Sequence, residues 1–239
     1  MVIVTLVFSI AAIIGALLKR NGSYYHSIGK TWARLVLRIF GVKVHLKGIE
    51  NLEPGKTYVY VSNHASMFDI PVVIASIPDE VRIVYKKELS YVPIWGWCLA
   101  VGPYIAIDRF SAKDAMKSLD EAAGKMRGGA SVLLFAEGTR TRTGKLQPFK
   151  RGAFSLAVRS GISIVPLTIN NSFRILPKGS LRIRPADITM FIGTAIPTKG
   201  LDGKSDEMSL METVRIAISQ HYVDQDDDVP VAAGIADGV

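Results

Sequence analysis

Val59-Tyr60-Val61-Ser62-Asn63-His64-Ala65-Ser66-Met67-Phe68-Asp69 is an apolar run that breaks into small polar residues and delivers, within one short loop, a histidine and then an aspartate. The β-branched and aromatic residues at its start predict a strand. Pro71, just beyond Asp69, suits the first turn of a following helix. Strand and helix patterns alternate outward from this stretch, which is the signature of an α/β sheet with crossover helices. Strands are expected near 42–47, 57–62, 82–85, 104–107, 131–135, 162–168 and 188–192. The clearest helix is expected over 112–126, with Ser111 as N-cap, Asp114 in the first turn and Gly128-Gly129 as the stop. Another is expected from about 151 to Gly161, and a last one over 206–222 with acids at its positive end. The predicted fold is therefore α/β, with one mostly parallel or mixed sheet flanked by helices, in a single domain over 41–222. Residues 223–239, with Asp224-Gln225-Asp226-Asp227-Asp228 and a small-residue remainder, read as an acidic disordered tail.

The 239 residues are 49% hydrophobic, which suffices for one sizeable core. Cys98 is the only cysteine, so no internal disulfide framework exists, and it is expected as a small buried hydrophobe. No His or Cys spacing suits a structural metal. The formal charge of +8 calls for an acidic partner: nucleic acid, anionic lipid or a phosphorylated substrate. Its distribution decides among them. No acidic residue precedes Glu50, whereas Lys19, Arg20, Lys30, Arg34, Arg38, Lys43 and Lys47 are all basic. These lie beside an uncharged apolar run, 2–18, expected to cross or enter a bilayer. A signal peptide would carry its basic residues before such a run, not after it, and nucleic-acid arms are not built this way. In the next segment Ile28, Trp32, Leu35 and Ile39 recur at helical spacing, with Lys30, Arg34 and Arg38 opposite. That is a basic amphipathic helix suited to an anionic interface. Residues 1–40 are thus expected to be two membrane-associating helices, with Lys19 and Arg20 marking the cytoplasmic side.

Sites in open α/β sheets form where loops converge at the carboxyl ends of strands. Three such loops carry chemistry here: Asn63-His64, Asp108-Arg109 and Glu137-Gly138-Thr139-Arg140. His64 can act as a general base near neutral pH if Asp69 holds its tautomer and balances the imidazolium that forms. The amides of the following helix start would favour developing negative charge nearby. Arg109 and Arg140 have two readings: surface ion-pair partners of Asp108 and Glu137, or a phosphate clamp matched to planar guanidinium groups. In the second reading Lys150 and Arg151 add positive field, Thr139, Thr141, Thr143 and Gly144 supply hydroxyls and a flexible loop, and Lys86 and Lys87 are further candidates.

Other chemistries drop out. The stretch from Gly138 to Leu146 has one residue too many between its glycines for a P-loop, and leucine where the metal-binding hydroxyl belongs. No G-x-S-x-G nucleophile elbow occurs. A base without a protein nucleophile, beside an anion clamp on a membrane surface, suits direct transfer: a bound hydroxyl deprotonated by His64 attacks an activated acyl carbonyl.

Four blocks in order, NHASMFD at 63–69, GPYIAIDR at 102–109, FAEGTR at 135–140 and IVPL at 164–167, make the chain resemble the lysophospholipid acyltransferases, most closely the 1-acyl-glycerol-3-phosphate acyltransferases. The resemblance covers roughly 42–197. It implies that His64 is the catalytic base and Asp69 its partner, and that Arg109, Glu137 and Arg140 belong to the acceptor-phosphate site, with Gly138 in the same block. It further implies an acyl-CoA or acyl-carrier-protein thioester as donor, lysophosphatidic acid as acceptor, phosphatidic acid as product, membrane attachment through N-terminal helices, and neither metal nor organic cofactor. Ala136 stands where such proteins usually carry proline, which predicts a looser loop before Glu137. Two alternatives accompany this reading: the same chemistry on another lysophospholipid, glycerol 3-phosphate or a lyso-ornithine lipid, and a catalytically silent protein that binds anionic lipid. Nucleic acid is not an expected partner.

Overall fold

The strand read around Tyr60 lies in the middle of the sheet, where backbone and side chains are excluded from water on both faces. A computed structural model describes residues 1–18, 22–107, 112–127 and 129–224. Within them the sheet has seven strands: β1 (Val44–Lys47), β2 (Val59–Ser62), β3 (Val81–Lys86), β4 (Ile105–Ile107), β5 (Ser131–Phe135), β6 (Ile164–Asn170) and β7 (Ile188–Ile192). Their spatial order is β1-β7-β6-β2-β5-β3-β4. Every pairing is parallel except β6 with β7, so the sheet is mixed, and β1 and β7 run against the other five. Each strand falls within a few residues of its predicted place. All four residues of β2 and all seven of β6 are buried. That is the continuous apolar pattern expected of parallel strands covered on both faces.

Side chains alternate across the sheet and so divide the core in two. Tyr58 and Tyr60 join Phe68, Val72, Leu133, Val165 and Ile188 on one face. Val59 and Val61 join Val132, Leu134, Phe154, Ile164 and Val214 on the other. The helices that cover these faces are α1 (Val2–Leu18), α2 (Gly22–Ile39), α3 (Asp69–Ser76), α4 (Trp95–Val101), α5 (Ala112–Arg127), α6 (Gly152–Ser160), α7 (Ser172–Ile175) and α8 (Gly203–Ser219). Gly161 ends α6 in the left-handed conformation, φ 68°, a backbone state that glycine adopts without steric penalty. The short helices α4 and α7 have no counterpart in the periodic pattern.

Of the two expectations for the run 2–18, crossing or entering a bilayer, the described helices bear on crossing alone, and the apolar stripe of α2 departs from its predicted residues. No described helix is long and apolar enough to cross a membrane. In α2 the buried residues are Tyr25, Ala33, Val36 and Leu37, while Leu35 and Ile39 of the predicted stripe stay exposed and Ile28 and Trp32 are half-buried. The helix therefore packs one apolar face inward and keeps part of a second facing out. Helix α1 packs on α2 and α4 and exposes Ile3, Val7, Ile10 and Ile14, whose 4-3-4 spacing places them on one face. Cys98 is buried. The predicted cap Ser111, the marker pair Lys19 and Arg20, and all of 225–239 lie outside the described residues.

Candidate active site

Strand β2 ends at Ser62, and the chain turns at once into the loop that carries His64. Asn63 holds that turn: its buried side chain donates to the Ile169 carbonyl at 2.9 Å and accepts from the Ile169 N–H at 2.8 Å. It thereby locks the carboxyl end of β2 to neighbouring β6. Just beyond His64 the chain enters α3, whose first residue is Asp69. A carboxylate is favoured there by the helix dipole, and Pro71 sits in the first turn, where a backbone N–H has no helical partner.

The two side chains meet. His64 Nδ1 lies 2.7 Å from Asp69 Oδ2. Asp69 has no exposed surface, and the His64 side chain is 15% exposed. The same carboxylate oxygen accepts from the Ala65 N–H at 2.8 Å and the Ser66 N–H at 2.9 Å. Three donors on one oxygen fix the carboxylate's orientation. With Nδ1–H directed at Asp69, Nε2 is left as the proton acceptor. The imidazole also stacks on Phe135, centroids 3.8 Å apart with the planes inclined by 13°, which holds the ring's plane. Since the Ala65 and Ser66 amides are occupied by Asp69, they orient the dyad and are not free for a developing oxyanion.

Strand β5 ends beside β2 and delivers the second loop. Ala136 donates its N–H to the Ser62 carbonyl at 2.9 Å, extending the ladder between the two strands. Proline has no such donor, so alanine here adds a bond at the position where loosening was expected. Glu137 is 3% exposed. Its Oε1 accepts from the His64 backbone N–H at 2.7 Å, and its Oε2 accepts from the backbone N–H and the side-chain amide of Gln147, each at 3.0 Å. Burial pushes its carboxyl up to about 7 against the opposing effect of those hydrogen bonds, with the Asp69 charge adding to the rise. Glu137 thus braces the two loops, with both oxygens taken by protein donors. Gly138 takes φ 69°, where an L side chain would be strained, and starts the turn that carries Thr139 and Arg140 outward. The Thr141 N–H donates to the His64 carbonyl at 2.9 Å, closing the second tie.

The remaining predicted residues divide. Arg140 has no ion pair among the described residues. Lys150 is exposed, and its backbone N–H meets the Ala136 carbonyl at 2.8 Å. Arg151 turns away to Glu207 of α8, with Nη2 at 2.5 Å and Nε at 3.1 Å from Oε2, so its expected contribution to the field is neutralised. Thr141 is buried, and Gly144 gives its carbonyl to the Tyr222 hydroxyl, so both shape the loop. Asp108 and Arg109 lie outside the described residues. Sequence reasoning did not single out Gln147, Phe135 or Lys178. Lys178 donates to Thr139 Oγ1 at 2.9 Å from a segment remote in sequence, and no local pattern marks such a partner. Among the described residues no group of three or more His, Cys, Asp or Glu side chains is placed to hold a metal ion.

Comparison with known proteins identifies the family of this segment. A family model described as Acyltransferase matches residues 43–170, the segment that holds both loops. The 1-acyl-sn-glycerol-3-phosphate acyltransferase LPAT1, chloroplastic, of Arabidopsis thaliana is 34% identical over 158 residues, 66% of this chain and 44% of that protein. A similar chloroplastic protein, BAT2 of Brassica napus, is also 34% identical, and the match takes in 45% of its length. The chain therefore spans less than half of these two relatives. The 1-acyl-sn-glycerol-3-phosphate acyltransferase of Pseudomonas aeruginosa is 33% identical over 181 residues, 74% of this chain and 69% of that one. In fold, the chain is similar to the crystal structure of the 1-acyl-sn-glycerophosphate (LPA) acyltransferase, PlsC, from Thermotoga maritima, with a TM-score of 0.74, 22% identity and coverage of 92% of this chain and 93% of that one.

Proposed function

The chain belongs to the Acyltransferase family, and on that premise we propose that it transfers a fatty acyl group from a thioester, on coenzyme A or acyl-carrier protein, to the free hydroxyl of a 1-acyl-glycerol-3-phosphate, giving phosphatidic acid. The observation that carries the reading is the buried carboxylate of Asp69 at 2.7 Å from His64 Nδ1, with the imidazole reaching the surface at the carboxyl edge of the sheet. Nε2 takes the proton of the acceptor hydroxyl as its oxygen attacks the thioester carbonyl. The tetrahedral intermediate collapses with cleavage of the C–S bond, and the imidazolium returns the proton to the leaving thiolate. Asp69 remains ionised throughout and balances the imidazolium. Arg140, free of protein carboxylates among the described residues, supplies the anion-binding group, and Arg109 is proposed to share that role.

We place the reaction at a membrane surface. The support is the outward apolar face of α1, the exposed Trp97 and Val101 at helical spacing on α4, and the unbroken basic run before Glu50.

The test is release of thiol from acyl-CoA that depends on added lysophosphatidic acid. His64→Ala is expected to lower kcat by ~100-fold or more, the range of a lost general base. Asp69→Asn keeps an oxygen able to accept from Nδ1 and both amides, so it is expected to lose turnover through charge with little loss of thermal stability. Turnover by His64→Ala at the wild-type rate refutes the proposal. A panel of lysophospholipids, glycerol 3-phosphate and lyso-ornithine lipid at equal donor concentration identifies the acceptor.

A further inference from the structure

Between α7 and β7 the chain makes a tight turn, with the Ser180 N–H donating to the Pro177 carbonyl at 3.1 Å and Gly179 at φ 94°. That places Lys178 and Gly179 at the two central positions, where a type II turn requires a positive φ at the second. The turn is tied to both catalytic loops. Ser66 Oγ donates to the Leu176 carbonyl at 3.0 Å just before it. Lys178 Nζ donates to Thr139 Oγ1 at 2.9 Å and reaches the Arg140 carbonyl at 3.4 Å. The ammonium is thereby held against the loop that follows β5, one of its three donors still uncommitted. The Thr139 oxygen, having accepted from Lys178, keeps its own O–H to donate.

The charges that act on this ammonium are led by Arg142, Arg140 and Lys86, all positive. Its pKa is lowered by burial and by the positive charges of Arg142, Arg140 and Lys86, and among the described residues none of the four cations has a carboxylate partner. Like charges gathered without counter-ions repel, and a bound anion relieves that repulsion. A phosphomonoester near neutral pH carries about −1.5 to −2 charge, whereas a phosphodiester carries a single negative charge.

We propose that Lys178 is a specificity-determining cation of the acceptor site: anchored on Thr139 and grouped with Lys86, Arg140 and Arg142, it favours an acceptor bearing a phosphomonoester over lysolipids whose phosphate is a diester. The inference rests on the acyl-transfer reading above and deepens it by naming the group that selects the acceptor. Because Lys178 binds a group that does not react, its removal acts on acceptor binding and not on proton transfer.

Steady-state acyl transfer by wild type, Lys178→Met, Lys178→Gln and Lys178→Arg, with lysophosphatidic acid and with lysophosphatidylglycerol as acceptors, tests this. Lys178→Met and Lys178→Gln are expected to raise the KM for lysophosphatidic acid ~10-fold or more, the scale of one lost charge-assisted contact. Their kcat and their KM for acyl-CoA should stay within about twofold of wild type by the same uniform-binding argument, and their KM for lysophosphatidylglycerol, whose phosphate carries one negative charge, should rise by a clearly smaller factor. Lys178→Arg should restore most of the difference. An unchanged KM for lysophosphatidic acid in both truncations overturns the proposal. So does a loss confined to kcat and equal for both acceptors, which marks a merely structural strap, or a rise confined to the KM for acyl-CoA, which assigns the cluster to the donor. Absence of lysophosphatidic acid turnover in the wild type overturns the acyl-transfer reading itself, and it is distinguished by appearing before any variant is compared.

Discussion

Glu137 carries its charge where burial opposes it, and the three N–H groups around it offer donors but no acceptor. Its folded pKa, raised to about 7 from 4.5, means that the native state binds a proton more tightly than the unfolded chain. The stability this group contributes is therefore fully present below about pH 4.5 and is lost as pH rises through about 7. Glu137→Gln removes the titration, and whichever way its amide is placed, it sets an NH2 against at least one existing donor. The expected outcome is that wild type exceeds Glu137→Gln in unfolding free energy by more at pH 5.5 than at pH 8, at about 1.4 kcal/mol for each tenfold difference in proton affinity between the folded and unfolded chains. Denaturant titrations at the two pH values measure it. A gap that narrows on acidification would mean that the ionised form is the one the fold favours. The sequence alone offers no access to this: a glutamate in a Glu-Gly-Thr-Arg stretch is legible as a site residue, but whether its oxygens face a ligand or the N–H of residue 64 depends on how β2 and β5 end side by side.

At the scale of elements, the site is two strand ends held in register, and Asn63 is the clamp on β2. Replacing it with alanine leaves the Ile169 N–H and carbonyl without these partners in a buried setting, at a cost of about 2 kcal/mol for two hydrogen bonds. For a chain of this size that corresponds to a fall in Tm of about 4–8 °C. The His64 loop would lose its fixed origin, so kcat is expected to fall while the KM for acceptor changes little, and thermal unfolding with steady-state kinetics checks both. If Asn63→Ala keeps wild-type kcat, other ties position the loop. Elements of this kind were legible to different degrees. Strands β2 and β6 announce themselves because a parallel strand covered on both faces is buried along its length and reads as a near-continuous apolar run, whereas β1, β3 and β7 show alternating burial. Helices α5, α6 and α8 announce themselves through period and stop signals. Helix α4, seven residues long and preceded by Ile94 at a positive φ of 64°, and α7, four residues long, are too short to show a period. The reversed direction of β7 is hidden because the connection from α7 carries no helix or strand, and the placement of Lys178 is hidden with it.

Over the whole molecule, a line of contacts joins the lipid-facing surface proposed above to the dyad: α1 packs on α2, α2 on α3, and α3 begins with Asp69. The outward apolar face of α1, Ile3, Val7, Ile10 and Ile14, and the basic residues of α2 are the features on which the proposed attachment rests. The outward residues of α1 then supply apolar burial, and the basic residues of α2 supply attraction to anionic headgroups. Val7 and Ile10 are exposed, so Val7→Glu with Ile10→Glu should leave thermal stability nearly unchanged, as surface substitutions do. The same pair removes about 1.5–3 kcal/mol of membrane burial per side chain and adds charge of the repelled sign. Co-sedimentation with phosphatidylglycerol-containing vesicles is expected to fall ~10-fold or more on that basis, while turnover of a short-chain acceptor dispersed below its aggregation limit stays at the wild-type level. Raising salt should weaken wild-type binding to these vesicles and leave the residual binding to neutral phosphatidylcholine vesicles unaffected, since only the electrostatic part is screened. Unaltered vesicle binding by the double variant would move the contact surface elsewhere on the molecule. Parallel loss of binding and of soluble-acceptor turnover would show that α1 instead supports the site through α2 and α3.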